Sequence, residues 1–114
     1  MVLRFMLAGV ITTLSSSALA QGFDFSACMV NEIVVSGDQN AHVQLSCNVS
    51  NGPACAAASN YVGFDKSTTA GKQYLALFMM AQSTGAKVTG MVDHAACSPW
   101  QGNVAYLTHL RVNR

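Results

Sequence analysis

Polar and apolar residues alternate with a period of two through much of this chain, and the rhythm breaks once. In HVQLSCNV, residues 42 to 49, Val43, Leu45, Cys47 and Val49 alternate with His42, Gln44, Ser46 and Asn48, the pattern of a strand with one buried and one wet face. The β-rich run before it, CMVNEIVVSGD, leads into the turn-forming SGDQN, so the two runs predict a hairpin. YVGF, residues 61 to 64, predicts a short third strand. AKVTGMV, residues 86 to 92, predicts another, with Gly90 where the strand bends. In NVAYLTHLRV, residues 103 to 112, Val104, Tyr106, Thr108, Leu110 and Val112 are expected on one face, and Ala105, Leu107, His109 and Arg111 on the other.

The break is GKQYLALFMMAQSTG, residues 71 to 85, whose centre, Leu75 to Ala81, is apolar without interruption. Ser67, Thr68 or Thr69 can cap the start of a helix here, and Gly85 suits its left-handed closing residue. Tyr74, Leu77, Phe78 and Ala81 follow helical spacing and are expected to face the core. Leu75, Ala76, Met79 and Met80 then form a second apolar face, which must be covered either by the protein's own loops or by another subunit. The predicted order is strand, strand, strand, helix, strand, strand: a mostly β protein with one helix, in the element order of the OB-fold, a small Greek-key barrel.

The first twenty residues stand apart from this fold. Arg4, the apolar run from Phe5 to Thr12 and SSSALA, ending in Ala18-x-Ala20, have the layout of a signal peptide, so residues 1–20 are expected to be removed and 21–114 to form one domain that is secreted or periplasmic. The apolar run is too short to span a bilayer, and membrane insertion is not expected. The expected mature domain balances Lys66, Lys72, Lys87, Arg111 and Arg114 against Asp24, Glu32, Asp38, Asp65 and Asp93. Without a basic excess, nucleic acid is not an expected partner. So few charges on a half-apolar chain do little to oppose self-association.

AC followed by a β-hairpin and SCNVS, then a helix running into MAQSTGAKVTGMV, resembles the pentameric B subunits of bacterial toxins, above all the subtilase cytotoxin B subunit and its typhoid and pertussis toxin relatives. The similarity covers Cys28 to Val92. It implies an OB-fold, export, a ring-like homo-oligomer whose helices line the central channel, binding to cell-surface glycans, no catalysis of its own, and a catalytic toxin subunit as a possible partner. It also implies a disulfide between Cys28 and Cys47. One departure matters: after the expected cleavage only seven residues, Gln21 to Ala27, precede Cys28, where those subunits carry a longer segment with sugar contacts, so their glycan site does not transfer.

The hairpin supports the same bridge independently. A two-residue turn at Gly37 and Asp38 places Cys28 opposite Cys47, although a longer turn shifts this register. Cys55 and Cys97 are then left for each other. A metal site competes poorly, since the cysteine spacings contain no CxxC pair, and His42, His94 and His109 show no HxxxH or HExxH spacing. Asp93 beside His94 suggests a triad, but no GxSxG elbow accompanies it. No cofactor and no enzymatic activity are expected.

The candidate ligand site is the segment DHAACSPWQGN, residues 93 to 103, expected to be a loop. Trp100 offers an aromatic face for the C–H surface of a sugar, and the amides of Gln101 and Asn103 can meet its hydroxyls. The competing explanation is that Trp100 plugs one end of the barrel. Two function classes result: a secreted, non-catalytic, glycan-binding module resembling a toxin B subunit, or a periplasmic structural or inhibitor-like OB-fold domain without sugar binding.

Overall fold

Strand β1 (Phe25–Cys28) and strand β2 (Val30–Val35) are two pieces of one N-terminal strand, separated only by Met29. The computed structural model describes residues 22–99 and 101–113; the expected leader, residues 1–20, lies outside them, as does Trp100. Strand β3 (Asn40–Leu45), strand β4 (Tyr61–Asp65), helix α1 (Thr69–Thr84), strand β5 (Lys87–Ser98) and strand β6 (Gln101–Asn113) follow. They form one sheet in the order β1-β5-β6-β4-β3-β2, antiparallel throughout except for β4 with β6. The two ends of that order, β1 and β2, are consecutive in the chain, so the sheet closes on itself. Counted as one strand, they complete the five-stranded Greek-key barrel of the OB-fold, with α1 between its third and fourth strands.

Closure depends on irregularities in the first strand. The register of β1 with β5 shifts between Phe25 and Cys28, where Ala27 takes a left-handed φ of 53°. Its N–H donates to Thr89 Oγ1 at 3.0 Å instead of to a ladder carbonyl. A second shift lies between Val30 and Glu32, leaving Asn31 as the extra residue of a bulge. These bends turn the strand from β5 toward β3. Cys28 and Cys47 are bonded at this corner, with a Cα–Cα distance of 5.7 Å.

The β2–β3 turn differs from expectation, yet the disulfide does not. Ser36 N–H donates to the Asn40 carbonyl, and Val35 pairs with Ala41, so the turn holds three residues, Gly37 to Gln39, rather than two. That alone moves Cys28 out of register with Cys47. The bulge at Asn31 shifts it back: Val30 pairs with Leu45, and Ser46 N–H donates to the Met29 carbonyl. Cys55 and Cys97 form the second bridge.

Strand β6 also departs from its expected pattern. Thr108 is the extra residue where the β5–β6 register shifts between Met91 and Val92, and the faces exchange there. Ala105 and Leu107 are buried in the core before the bulge, and Leu110 and Val112 pack against it afterwards. The unbroken alternation predicted from Val104 to Val112 therefore holds for neither face. Helix α1 braces both bulges: Tyr74 Oη donates to the Thr108 carbonyl at 2.7 Å, and Gln82 Nε2 to that of Asn31 at 3.4 Å.

The helix starts at Thr68, whose Oγ1 accepts from Gly71 N–H at 2.9 Å, and closes at Gly85 with φ 76°. Gly71 fixes its rotation, since a Cβ there would stand 1.7 Å from the Asp65 carbonyl oxygen. The inward face consequently runs through Gly71, Phe78 and Ala81, with Tyr74 and Leu75 alongside. Leu75, expected on the outer face, packs against the core, while Leu77, expected in the core, is half-buried outside it. Ala76, Met79 and Met80 remain exposed, Met79 at 56% and Met80 at 47%, so none of the described loops covers this face.

Gly90 is required for close packing. A Cβ on it would lie 2.4 Å from the His109 carbonyl and 2.6 Å from the ring of Phe25, the residue it faces across the β1–β5 pair. Gly90→Ala is expected to destabilise the fold by roughly 1 to 3 kcal/mol, as overpacked cores do. Urea unfolding with the disulfides intact measures this, and an unchanged midpoint would show that Phe25 moves aside at little cost.

Candidate functional site

The segment expected as a loop is instead the end of a β-hairpin. Strand β5 continues to Ser98, and Ser98 pairs with Gln101. Residues 93 to 96 bulge out of β5, held by Asp93 Oδ1, which accepts the N–H groups of Ala95 and Ala96 at 2.7 and 3.1 Å. The hairpin end stands against the outer face of β4, where a Cβ on Gly63 would meet Ser98 Cβ at 3.2 Å and Val104 Cγ1 at 3.3 Å. The glycine lets the hairpin end approach β4 without crowding.

A cavity of about 240 Å³ lies beside that contact, lined by His42, Ala58, Tyr61, Gln101, Asn103 and Val104. His42 and Tyr61 come from the outer faces of β3 and β4, with ring centroids 5.8 Å apart. Gln101 and Asn103 come from the start of β6. Two tethers hold the wall formed by the loop after β3: Ala58 N–H donates to the Asn103 carbonyl at 3.1 Å, and Cys55 is bonded to Cys97. A neighbouring, separate cavity of the same size shares Ala58 and Tyr61 and is also lined by Val49 and Pro53. A larger cavity of about 410 Å³ is lined by Thr84, Gly85, Ala86 and Lys87 at the end of the helix, with no comparable grouping of side chains.

The structure therefore brings two of the three sequence-predicted ligand residues, Gln101 and Asn103, into one cavity; the third, Trp100, lies outside the described residues. It adds two residues that were not singled out. His42 was already on the wet face of its strand by alternation. Tyr61 opens a strand whose sequence carries no sign of which face would meet a ligand. The cavity offers a half-buried phenol ring, an imidazole and two carboxamides, a set that meets hydroxyl groups with both donors and acceptors.

The proposed oligomer residues lie on α1, with Ala76, Met79 and Met80 exposed and Leu75 turned toward the core. Among the described residues, no group of three or more His, Cys, Asp or Glu side chains is placed to hold a metal ion. No helix among them is long and apolar enough to cross a membrane.

His94 pairs not with its neighbour Asp93 but with Asp24, at 2.9 Å. Asp24 is buried, and its Oδ2 also accepts Val92 N–H at 2.9 Å, while Asn51 Nδ2 approaches Oδ1 at 3.4 Å. Burial pushes this carboxyl up, but the bonds from Val92, His94 and Asn51 outweigh it and hold the group below the ordinary aspartate range. The arrangement ties the segment before β1 to the β5 bulge and to the loop after β3.

No family model, curated protein or solved structure matches the chain.

Because the folded-state value of Asp24 is depressed, its contribution to stability is complete above the unfolded value, about pH 4, and is lost as pH falls through the folded value. Asp24→Asn is expected to cost roughly 1 to 3 kcal/mol at neutral pH, the cost of mispaired buried polar groups. The gap should narrow below about pH 4. Denaturant melts at a series of pH values provide the check; a gap that does not change with pH would mean that the charge of Asp24 contributes nothing.

Proposed function

We propose that this protein is an exported, non-catalytic binding module, similar in kind to toxin B subunits, that receives a saccharide in the cavity between β3, β4 and the start of β6. The observation that carries this reading is the grouping of His42, Tyr61, Gln101 and Asn103. OB-folds bind oligosaccharides and oligonucleotides on the face of their second and third strands, next to the loops joining strands 1–2 and 4–5. In this barrel those strands are β3 and β4, and the second loop is the β5–β6 turn. The residues lining the cavity include no lysine, arginine or carboxylate, which suits a polyol better than a phosphate backbone. Its volume lies below the roughly 300 to 1,000 Å³ of drug-sized sites, a size for one or two sugar rings rather than a long chain.

Tyr61 supplies the stacking surface, and the carboxamides of Gln101 and Asn103 fix the ring's orientation through its hydroxyls. Export is supported by the two disulfides, which persist in oxidising compartments. The exposed strip Ala76, Met79 and Met80 supports a homo-oligomer in which each subunit hides this face against the next. A ring closes such a repeated contact without open-ended growth, and the resemblance suggests five subunits and allows a catalytic partner subunit.

On a glycan array the mature protein should bind a discrete subset of saccharides, and Tyr61→Ala should weaken that binding about tenfold while the disulfides stay intact. A wild-type protein that binds nothing on the array would favour the structural or inhibitor-like alternative. In light scattering the mature protein should have the mass of a ring, and Met79→Glu should release folded monomers by placing a charge in the interface. A wild-type monomer at micromolar concentration would refute the ring.

A further inference from the structure

Among the described residues, two buried side-chain atoms lack a hydrogen-bond partner, Asn40 Oδ1 and Ser98 Oγ. Their residues are 3% and 2% exposed. Leaving such an atom unpaired costs roughly 1 to 3 kcal/mol, and native proteins rarely tolerate it without a reason. Other buried polar side chains here are bonded: the Asp24 carboxylate accepts from Val92 and His94, and Thr89 Oγ1 accepts from Ala27.

Both residues that carry these atoms neighbour the same residue of the cavity, Gln101. Asn40 Nδ2 donates to Gln101 Oε1 at 3.4 Å and lies 3.5 Å from His42 Nδ1. Ser98 is the cross-strand partner of Gln101, and its side chain rests against Gly63 on the outer face of β4. Gln101 and His42 line the cavity, and Asn40 and Ser98 stand behind them.

We propose that Asn40 and Ser98 are the specificity-determining residues of this site and that together they take one hydroxyl group of the bound saccharide. This rests on the saccharide-binding reading above and names the chemistry that selects the ligand. A sugar hydroxyl both donates and accepts, so it donates to Asn40 Oδ1, which can only accept, and accepts from the Ser98 hydroxyl. The Asn40–Gln101 contact is at the long end for a hydrogen bond. A hydroxyl that displaces the Gln101 carboxamide from Asn40 therefore exchanges one weak bond for two good ones. A deoxy sugar leaves both buried atoms unpaired, and sites built to bond a hydroxyl discriminate most strongly against its absence.

The test uses the array saccharide that the wild-type protein binds most tightly, together with its monodeoxy analogues. Ser98→Ala removes a hydroxyl with little change of shape. It is expected to keep or raise the melting temperature and to weaken binding of the parent sugar about tenfold, the equivalent of one lost hydrogen bond. With unchanged protein, one monodeoxy analogue loses both bonds and should bind about a hundredfold more weakly than the parent sugar. Against Ser98→Ala that same analogue should lose much less. If Ser98→Ala melts higher but binds the parent sugar as well as wild type does, the two atoms are satisfied by water, and the inference is overturned while the binding reading stands. If every monodeoxy analogue binds wild type equally, it is overturned as well. If the wild-type protein binds no saccharide at all, both fall.

Discussion

The barrel is closed by one strand that must pair with two neighbours lying in different directions. Its first half hydrogen-bonds to β5 and its second half to β3, and no regular strand can do both. The left-handed Ala27 and the bulged Asn31 supply the bend, and the Cys28–Cys47 bridge fastens the corner between them. Each bulge frees backbone groups, and the side chains that take them come from elsewhere in the fold: Thr89 for the Ala27 N–H, Gln82 of the helix for the Asn31 carbonyl. The helix lies under the barrel in one rotation because Gly71 presses against the Asp65 carbonyl. What closes the barrel thus also orients the helix, and with it the apolar face left toward solvent.

The same closure creates the cavity. With β3 and β4 committed to the core through Ala41, Val43, Val62 and Phe64, their alternate residues His42 and Tyr61 face outward. The β5–β6 hairpin reaches across that outer face and is anchored by Gly63 beneath it and by the Cys55–Cys97 bridge beside it. The Asp24–His94 pair resembles part of a catalytic arrangement, but its hydrogen bonds run to Val92 and Asn51, which marks it as a brace for the segment before β1. The Asp24–His94 pair braces this barrel on one side, and an imidazole, a phenol and two carboxamides line the opening on the other.

The order of elements was legible because each strand carries its own period and the helix carries both caps. Gly85 was recognisable as a terminator from residue type alone, and Thr68 as one of three candidate caps, Ser67, Thr68 and Thr69. Bulges were not legible, because an inserted residue such as Asn31 or Thr108 looks locally like any other strand position and shows itself only through the partner strand. Hence the Cys28–Cys47 register followed from a turn that is one residue too short, compensated by a bulge that the sequence does not announce. The same blindness misassigned the faces of β6. Gln101 and Asn103 were found through amide chemistry near an aromatic residue, whereas Tyr61 and Asn40 reach the cavity only by tertiary pairing. The helical face was half legible: a fully apolar run shows that two sides exist, and only the contact at Gly71 decides on which side Leu75 falls.

The central claim is that the outer face of β3 and β4, under the β5–β6 hairpin, is where this protein meets its ligand. Amide NMR of isotope-labelled protein spanning residues 21–114, titrated separately with galactose, N-acetylglucosamine and N-acetylneuraminic acid at millimolar concentration, maps that contact residue by residue. The account predicts that at least one of these sugars shifts the amides of His42, Tyr61, Gly63, Gln101 and Asn103 and leaves helix α1 unmoved. Shifts confined to the helix or to the Thr84–Lys87 end of the barrel, or none with any of the three, would contradict it.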